Sequence, residues 1–523
     1  MYQWLLVRRY LFSKVMPLLA VLAVLLCCAM VLVTWSVMGG FLDMLIRSGR
    51  TTTGDVTVTW PNVGFAHYDD LIARLEKDPL VEAATPVVES YALVGLPNGR
   101  NEVVFLRGVD GPGYARVTAY DSILWWRPIA QPLSKDHDRE DPRLDPRLAT
   151  DLAEYERAGQ SLTRVNPATG QQEPAAVLGI EVSGFNRRSP AGFYDPLQYT
   201  VRKSDGATEW HDGFLPRDGS VVLNVLPIDR EGRALEQASR RVPVANEFNS
   251  GLFEADSKVI LVRLDLAQQM LRMNQAQRRV TKPATPEATK PAPSEDDFVT
   301  DGDSTLVTDP ARVTHVLVRG KGDLSELGAS KPLRERVREI YAQFAKDHEG
   351  QVPGEGDVFV LSWEDQNRTM IAAVQKETGL VLFLFSFISL VAVFLVFAIF
   401  WAMISEKTKD IGVVRALGAS RVGVAGVWVA YGLAIGVVGS ALGGVAAYII
   451  VKNINPIHDW LASALDLTIW DPKVYYFSVI PSKVDPAKVA IVLVGGLLSS
   501  VLGALVPAWR AARMDPVRAL RFE

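Results

Sequence analysis

The sequence predicts an α-helical membrane protein: four transmembrane helices, with a large α+β extracytoplasmic domain inserted between helices one and two. Three observations predict it. Four long stretches, 15–42, 379–405, 422–451 and 489–509, contain no charged residue. The 300 or so residues between the first two hold no comparable run, only strand-like and helix-like segments. Arginines and lysines cluster beside the apolar runs at 8–14, 407–421 and 510–521. Bilayer hydrocarbon is about 30 Å thick and needs about 20 apolar helical residues, so each run is long enough to span it.

Residues 1–15 mix Trp4, Leu5, Leu6, Tyr10 and Phe12 with Arg8, Arg9 and Lys14. That pattern suits an interfacial helix with its cations toward anionic headgroups. Residues 16–46 form the first spanning helix. A cleaved signal peptide is the rival reading, but the apolar part is too long for one and no small-x-small cleavage site follows promptly. Cys27 and Cys28 are the two cysteines of the chain and lie inside this run. They read as ordinary apolar residues, and the soluble part has no disulfide.

Residues 47–375 read as a mixed α+β domain. Strand patterns recur at 54–60, 197–203, 257–264 and 314–320, among others, and amphipathic helices at 67–79, 264–273 and 333–350. The stretch 111–175 is rich in Pro, Arg and Asp with weak periodicity, which predicts irregular structure and short helices. Residues 277–309 combine many prolines, low hydrophobicity and mixed charge, which predicts a disordered loop.

Residues 363–379 are helix-compatible and run into the second spanning helix, so 376–405 holds a stalk end and that helix. About eighteen of residues 379–405 are Leu, Ile, Val or Phe, which gives at most roughly −8 kcal/mol of insertion free energy. Phe383, Phe387, Leu390, Phe394 and Phe397 make one bulky stripe along it, continued by Trp401. At 406–421, charged Glu406, Lys407, Lys409, Asp410, Arg415 and Arg421 alternate with apolar residues, ending near Gly418. This predicts a short amphipathic helix at the membrane surface. Helix three, 422–452, repeats small residues every fourth position at Gly432, Gly436, Ser440 and Gly444; helix four, 488–509, does so at Gly495, Ser499 and Gly503. Such spacing lets another helix approach closely. The loop 453–487 carries Trp460, Trp470, Tyr475, Tyr476 and Phe477, suited to an interfacial belt. The tail is 510–523. The positive-inside rule puts both termini and the 406–421 segment in the cytoplasm and the large domain outside.

Net charge is −4, so no global basic field recruits nucleic acid. No GxxxxGK[ST] loop occurs, the six histidines are scattered, and no HExxH or paired-cysteine motif exists. No catalytic residue, metal ligand or cofactor site is expected.

One spanning helix, a large outside domain and three further spanning helices form a layout that resembles the FtsX-like permeases of ABC transporters, of the MacB and lipoprotein-releasing LolC/LolE type. Local sequence supports this. RRYLFS, and VMGGF at 37–41, look like that family's first helix. NSGLFEADSKVILVRLDLAQQML at 249–271 is similar to a segment of the lipoprotein-releasing permeases, with Gly251, Glu254, Asp256 and Ser257 filling its core. WEDQNRTMIAAVQKE, EKTKDIGVVRALGAS and PAWRAARMDPVRALRFE resemble the approach to its second helix, its cytoplasmic coupling segment and its tail.

The resemblance implies a non-catalytic permease subunit in a bacterial inner membrane. It would pair with itself or a paralogue and with two ATPase subunits that bind ATP and Mg. It implies mechanotransmission from ATPase to periplasmic domain, and transfer of lipoproteins to a periplasmic carrier. The coupling residues would be Glu406, Lys407, Asp410, Ile411, Arg415, Leu417 and Gly418, with an ATPase groove taking the apolar face. The alternative is a solvated interfacial helix. Helices one and two would line a cavity for acyl chains, with Met30, Val33, Val37 and Phe41 as the candidates on helix one and the stripe on helix two. Alternatively the stripe faces bulk lipid or packs on helix one. Two other functions fit the layout: an FtsX-like signalling regulator of cell-wall hydrolases, and a MacB-like exporter of a small molecule or peptide.

Overall fold

The computed structural model describes residues 15–131, 141–188, 193–203, 206–212, 216, 219–229, 232–281, 304–324, 326–465 and 479–520. The 1–14 segment, most of the Pro-rich stretch, and Trp470 with Tyr475, Tyr476 and Phe477 lie outside these. The chain divides into two compact units: one of helices, from residues 1–45, 368–475 and 479–523, and one built chiefly from residues 46–367.

The first element is α1 (Val15–Thr53). The second unit then runs β1 (Val56–Thr59), α2 (Tyr68–Glu76), β2 (Val81–Gly95), β3 (Asn101–Val109), α3 (Gly111–Val117), α4 (Tyr120–Ile123) and α5 (Ala149–Ser161). There follow β4 (Thr163–Val165), β5 (Gln172–Pro174), β6 (Ala176–Gly179), β7 (Asn186–Arg188), β8 (Tyr194–Pro196), β9 (Gln198–Arg202), β10 (Thr208–Asp212), β11 (Ser220–Val225) and β12 (Ala238–Phe248). It ends with α6 (Phe253–Lys258), β13 (Val259–Arg263), α7 (Leu264–Met270), β14 (Ala276–Thr281), β15 (Ser304–Asp309), β16 (His315–Gly320), α8 (Lys331–Asp347), β17 (Phe359–Ser362) and α9 (Trp363–Gln366).

Nine strands form one sheet in the order β11-β12-β6-β13-β3-β2-β16-β1-β17, and β11 also pairs with the far end of β2. Six strands therefore close on themselves. The closure needs the fifteen-residue β2 to serve two partners on the side away from β3: β16 pairs with Val81–Val87 and β11 with Ala92–Gly95, while β3 pairs with Val87–Gly95 on the other side. Inside, alternate residues of each strand are buried: Val104 and Leu106, Ile260 and Val262, Ala176 and Leu178, Val242 and Val244, Val221 and Leu223. That is the period-two pattern of a small barrel filled by side chains. On the open part of the sheet, α2 and α8 bury Leu71, Leu75, Val337, Tyr341 and Phe344.

The first and last strands of this unit are neighbours. β1 pairs antiparallel with β17, Val56 opposite Ser362. The Asp55 carbonyl accepts from Trp363 N at 3.1 Å, and Gln366 Nε2 donates to Thr57 Oγ1 at 2.9 Å. Ser362 and Asp365 form a reciprocal capping box that starts α9.

Two expectations are corrected here. The 277–309 stretch is not loop throughout: its ends pair as an antiparallel β14–β15 ladder, Ala276 opposite Asp309. The alternation of Val280 with polar neighbours is weak, and the prolines between mask it. The irregular 111–175 stretch contains a thirteen-residue helix, α5, besides its short ones. β12 was not expected at all, because Arg240, Arg241 and Pro243 break the apolar pattern. Its outer half carries those arginines and pairs with β11, Arg240 opposite Leu223, while its inner half, Val244 to Phe248, is buried and pairs with β6.

The helical unit continues with α10 (Arg368–Glu406), α11 (Thr408–Ala416), α12 (Arg421–Lys452), α13 (Ile454–Leu465), α14 (Pro486–Ala512) and α15 (Pro516–Leu520). α1, α10, α12 and α14 are long and apolar enough to cross a membrane. The stretch expected as a plain loop at 453–487 begins with α13, a twelve-residue helix.

Candidate functional site

The four long helices meet through small residues. On α12, a Cβ added to Gly439 would lie 2.8 Å from Val24 Cβ, and one on Gly443 would lie 2.8 Å from the Leu25 carbonyl. These glycines let α12 close on α1. Gly432 and Gly436 face α14 instead, within 2.7 Å of Ala504 and 2.9 Å of Leu497 by the same construction. Ser500 Oγ donates to the Gly432 carbonyl at 2.8 Å, and buried Ser440 donates to the Gly436 carbonyl at 2.5 Å. Gly444 meets Leu493 more loosely, at 3.4 Å.

On α14 the packing register differs from the expected one. Gly495 has open space around it and Ser499 is only partly covered; Gly496 and Ser500 do the packing, with Gly496 against Cys28. Two adjacent small-residue registers exist in this helix, and spacing alone cannot rank them. Gly503 lies against α10, a Cβ there falling 2.8 Å from the Val393 carbonyl. Cys27 Sγ meets Ser389 Oγ at 3.3 Å, a polar contact between α1 and α10. The VMGGF motif also gains a physical reason. Gly40 lies under the chain before α14, where a Cβ would come 2.5 Å from Ser482, and Lys483 pairs with Asp43 at 2.5 Å.

The stripe on α10 faces away from this bundle. Phe383, Phe387, Leu390 and Phe394 are all at least 50% exposed, while Ala392, Val396, Ile399, Phe400 and Met403 on the other side are buried. Phe383 and Phe387 meet edge to face at 5.0 Å, and Phe397 tilts on Trp401 at 5.6 Å. The four α1 candidates do not share that exposure. Met30 is exposed, Val33 packs beside Ala29, Leu32 and Ala447, Val37 is partly covered, and Phe41 is 9% exposed. Phe41 therefore supports the chain's own packing rather than a cavity wall.

The surface segment folds as α11 and ends at Gly418, whose φ of +97° is the left-handed conformation a glycine allows cheaply. Ile411, 7% exposed, joins Ile404, Val424 and Ala511, with Ala419 and Met514 beside them. α11 also packs against α15. Its inner face is thus covered by this chain, so Ile411 cannot enter a partner's groove as expected. Glu406, Lys409, Asp410, Val413 and Leu417 remain outward at helical spacing, Leu417 being 83% exposed. Lys407 pairs with Asp410 at 2.8 Å. Arg415 donates to the Ala419 carbonyl at 2.9 Å, which ties the helix to the turn after it.

The 249–271 motif is an internal fastening. Asp256 is buried and accepts from Ser250 N and Ser250 Oγ, each at 2.7 Å, and from Gly251 N at 3.0 Å. Gly251 has φ +79°, which the turn requires. Gly179 lies so close under α6 that a Cβ would come 2.3 Å from the Asp256 carbonyl. Glu254 is exposed. Nearby, Glu247 accepts from Trp126 Nε1 at 2.7 Å, Ser183 Oγ at 3.0 Å and Asn186 Nδ2 at 2.9 and 2.8 Å. Sequence reading missed Glu247, whose strand was itself missed. Burial pushes the Glu247 and Asp256 carboxyls up to about 7, against the pull of these donors. Among the described residues, no group of three or more His, Cys, Asp or Glu could hold a metal ion.

Residues 382–516 match the family described as FtsX-like permease C-terminal. The lipoprotein-releasing system transmembrane protein LolC of Xylella fastidiosa (strain 9a5c) is 29% identical over 168 residues, 32% of this chain and 41% of that one. The LolC of Neisseria meningitidis serogroup B is also 29% identical, over 166 residues, 32% of this chain and 40% of that one. LolE of Haemophilus influenzae is 29% identical over 117 residues, 22% of this chain and 28% of that one. The matches thus span about two fifths or less of these relatives. Among solved structures, the periplasmic region of MacB from Actinobacillus actinomycetemcomitans aligns over 62% of this chain and 94% of that one, at 10% identity and a TM-score of 0.25. The C-terminal helices with the surface segment between them, residues 382–516, are an FtsX-like permease domain.

Proposed function

We propose that the chain is the permease subunit of an ABC-type complex that extracts lipoproteins from a bacterial inner membrane and hands them to a periplasmic carrier. The observation that carries this reading is α11. It is clamped on its inner side by Ile411 against the bundle, while Asp410, Val413 and Leu417 stay outward. A rigid, clamped helix with an exposed apolar edge transmits a push from a docked partner to α10 and α12, which flank it in the chain. In this reading the partner is a cytoplasmic ATPase dimer that binds ATP and Mg, and this chain supplies no catalytic residue.

Both termini and α11 are cytoplasmic in this proposal, and the sheet unit is periplasmic. The Phe383–Phe394 stripe faces either the acyl chains of the substrate or the second permease subunit beyond them. Similarity to LolC and LolE proteins favours lipoprotein as cargo.

The test is affinity purification of the full chain from its native membrane in mild detergent, with mass spectrometry of what accompanies it. An ABC ATPase together with acylated lipoproteins is the expected result. Leu417→Asp should lose most of the ATPase while the chain stays in the membrane fraction. An ATPase accompanied by a cell-wall hydrolase and no lipoprotein would replace this reading with a signalling one. A lone chain would overturn both.

A further inference from the structure

The end of α14 carries two arginines, Arg510 in its last turn and Arg513 at its C-cap, that stack on aromatic rings. Arg510 Cζ lies 3.8 Å from the ring centroid of Trp401 on α10, and Arg513 Cζ lies 3.7 Å from that of Trp509. Among the described residues neither forms an ion pair. The nearest carboxylate in sequence, Asp515, accepts instead from Val517 N at 2.9 Å, at the start of α15.

Position makes this pair informative. Leu498, Leu502, Leu505 and Val506 lead down the same helix to Trp509 and are all exposed, as Trp401 and Trp509 are. An exposed apolar face ending in two indoles marks the junction of hydrocarbon and headgroups. A guanidinium stacked on an indole has one flat face covered, and its N–H groups point outward around the ring edge in a fixed fork. Such a fork suits two oxygens of a phosphate. A soluble partner does not reach the apolar helix face above these residues, whereas a lipid lies along it and offers its phosphate at the right level.

We propose that Arg510 and Arg513, each held over an indole, form a binding site for the phosphate of an anionic phospholipid. The acyl chains would lie along the Leu498–Val506 face of α14 and the neighbouring surface of α10. This goes beyond the transport reading and does not depend on it, since it requires only that α10 and α14 span the bilayer.

The experiment uses the full chain in nanodiscs of phosphatidylcholine with a minor share of phosphatidylglycerol. Lipid retained after release into detergent is measured by native mass spectrometry. Wild type should retain phosphatidylglycerol preferentially, and rising salt should weaken that preference. A charge-assisted hydrogen bond to a bound phosphate contributes at least about fivefold beyond the diffuse attraction that every surface arginine shares. R510Q should therefore lower the preference about fivefold and R510Q/R513Q at least about tenfold. W401L should act like R510Q, because it removes the platform. R421Q, an exposed arginine at the start of α12, should change little.

Equal retention of both lipids by wild type would overturn the proposal. So would an R421Q loss as large as that of R510Q, which would mean diffuse charge and no site. Should the double glutamine variant fail to fold, R510K/R513K serves. It keeps the charge without the stacked fork and should lose part of the preference; full retention would overturn the assignment.

Discussion

Glu247 shows what a single buried carboxyl does to this protein. All its hydrogen-bond partners are neutral, and burial raises its pKa from 4.5 to about 7. Asp256 behaves alike, from 3.8 to about 7. For an acid whose folded pKa is raised, the native state binds more protons than the unfolded chain between the two values. Stability therefore falls as pH rises from about 4 to 7, and the penalty is complete above 7. For each group the shift is on the order of 3 kcal/mol. Thermal unfolding of the full chain, followed by tryptophan fluorescence, should give a higher Tm at pH 6 than at pH 8. Glu247→Gln should remove about half of that difference, Asp256 supplying the rest. His315, whose pKa burial lowers, acts in the opposite direction below 6.5 and is common to both proteins. An unchanged pH slope in the variant would show that Glu247 is not protonated in the fold.

At the scale of elements, α12 divides its small residues between two neighbours. Gly439 and Gly443 receive α1; Gly432 and Gly436 receive α14. Without a hydrophobic drive between helices in lipid, close backbone approach is a principal source of packing energy. Gly443→Leu should push α1 off α12 and lower the yield of folded protein severalfold by size-exclusion chromatography. Gly495→Leu, where nothing lies within 4 Å, should leave it unchanged. Equal losses from both would mean that leucine is rejected by the insertion step and not by this interface. α11 follows similar logic. Its charge pattern announces a surface helix, but which side is free depends on α15 and the ends of α10, α12 and α14 that cover Ile411.

For the whole molecule, two units follow from one chain because the chain leaves a bundle of long apolar helices, builds a sheet, and returns. The sheet unit begins and ends on paired strands, β1 and β17, so a force applied to one reaches the other through the backbone hydrogen bonds they share. The α10 stripe leaves Phe383, Phe387 and Phe394 uncovered on the helical unit. If it is a wall for acyl chains, Phe387→Ala with Phe394→Ala should reduce photocrosslinking of lipoprotein to α10 at least severalfold while ATPase retention persists. Crosslinking at the wild-type level would assign the stripe to bulk lipid.

Four apolar runs and the surface segment between the second and third were legible because bilayer thickness imposes a minimum length and hydrocarbon tolerates almost no charge. Most strands of the sheet unit were legible from β-branched alternation. β12 was not, since half of it is solvent-facing and carries Arg240 and Arg241. The β14–β15 pairing was hidden because the alternation around Val280 is weak and prolines fill the stretch between the two strands. The α14 register, Gly496 and Ser500 in place of Gly495 and Ser499, required the structure, because both registers satisfy the same four-residue spacing. So did the burial of Ile411 and Phe41, and the assembly of Trp126, Ser183, Asn186 and Glu247 from three separated stretches. Local composition determines which segments are helix, strand or membrane span, because those choices rest on a residue's own solvation and backbone preferences. Which face of each element is free, and which carboxyl is left without a counter-charge, is decided by what the rest of the chain places against it.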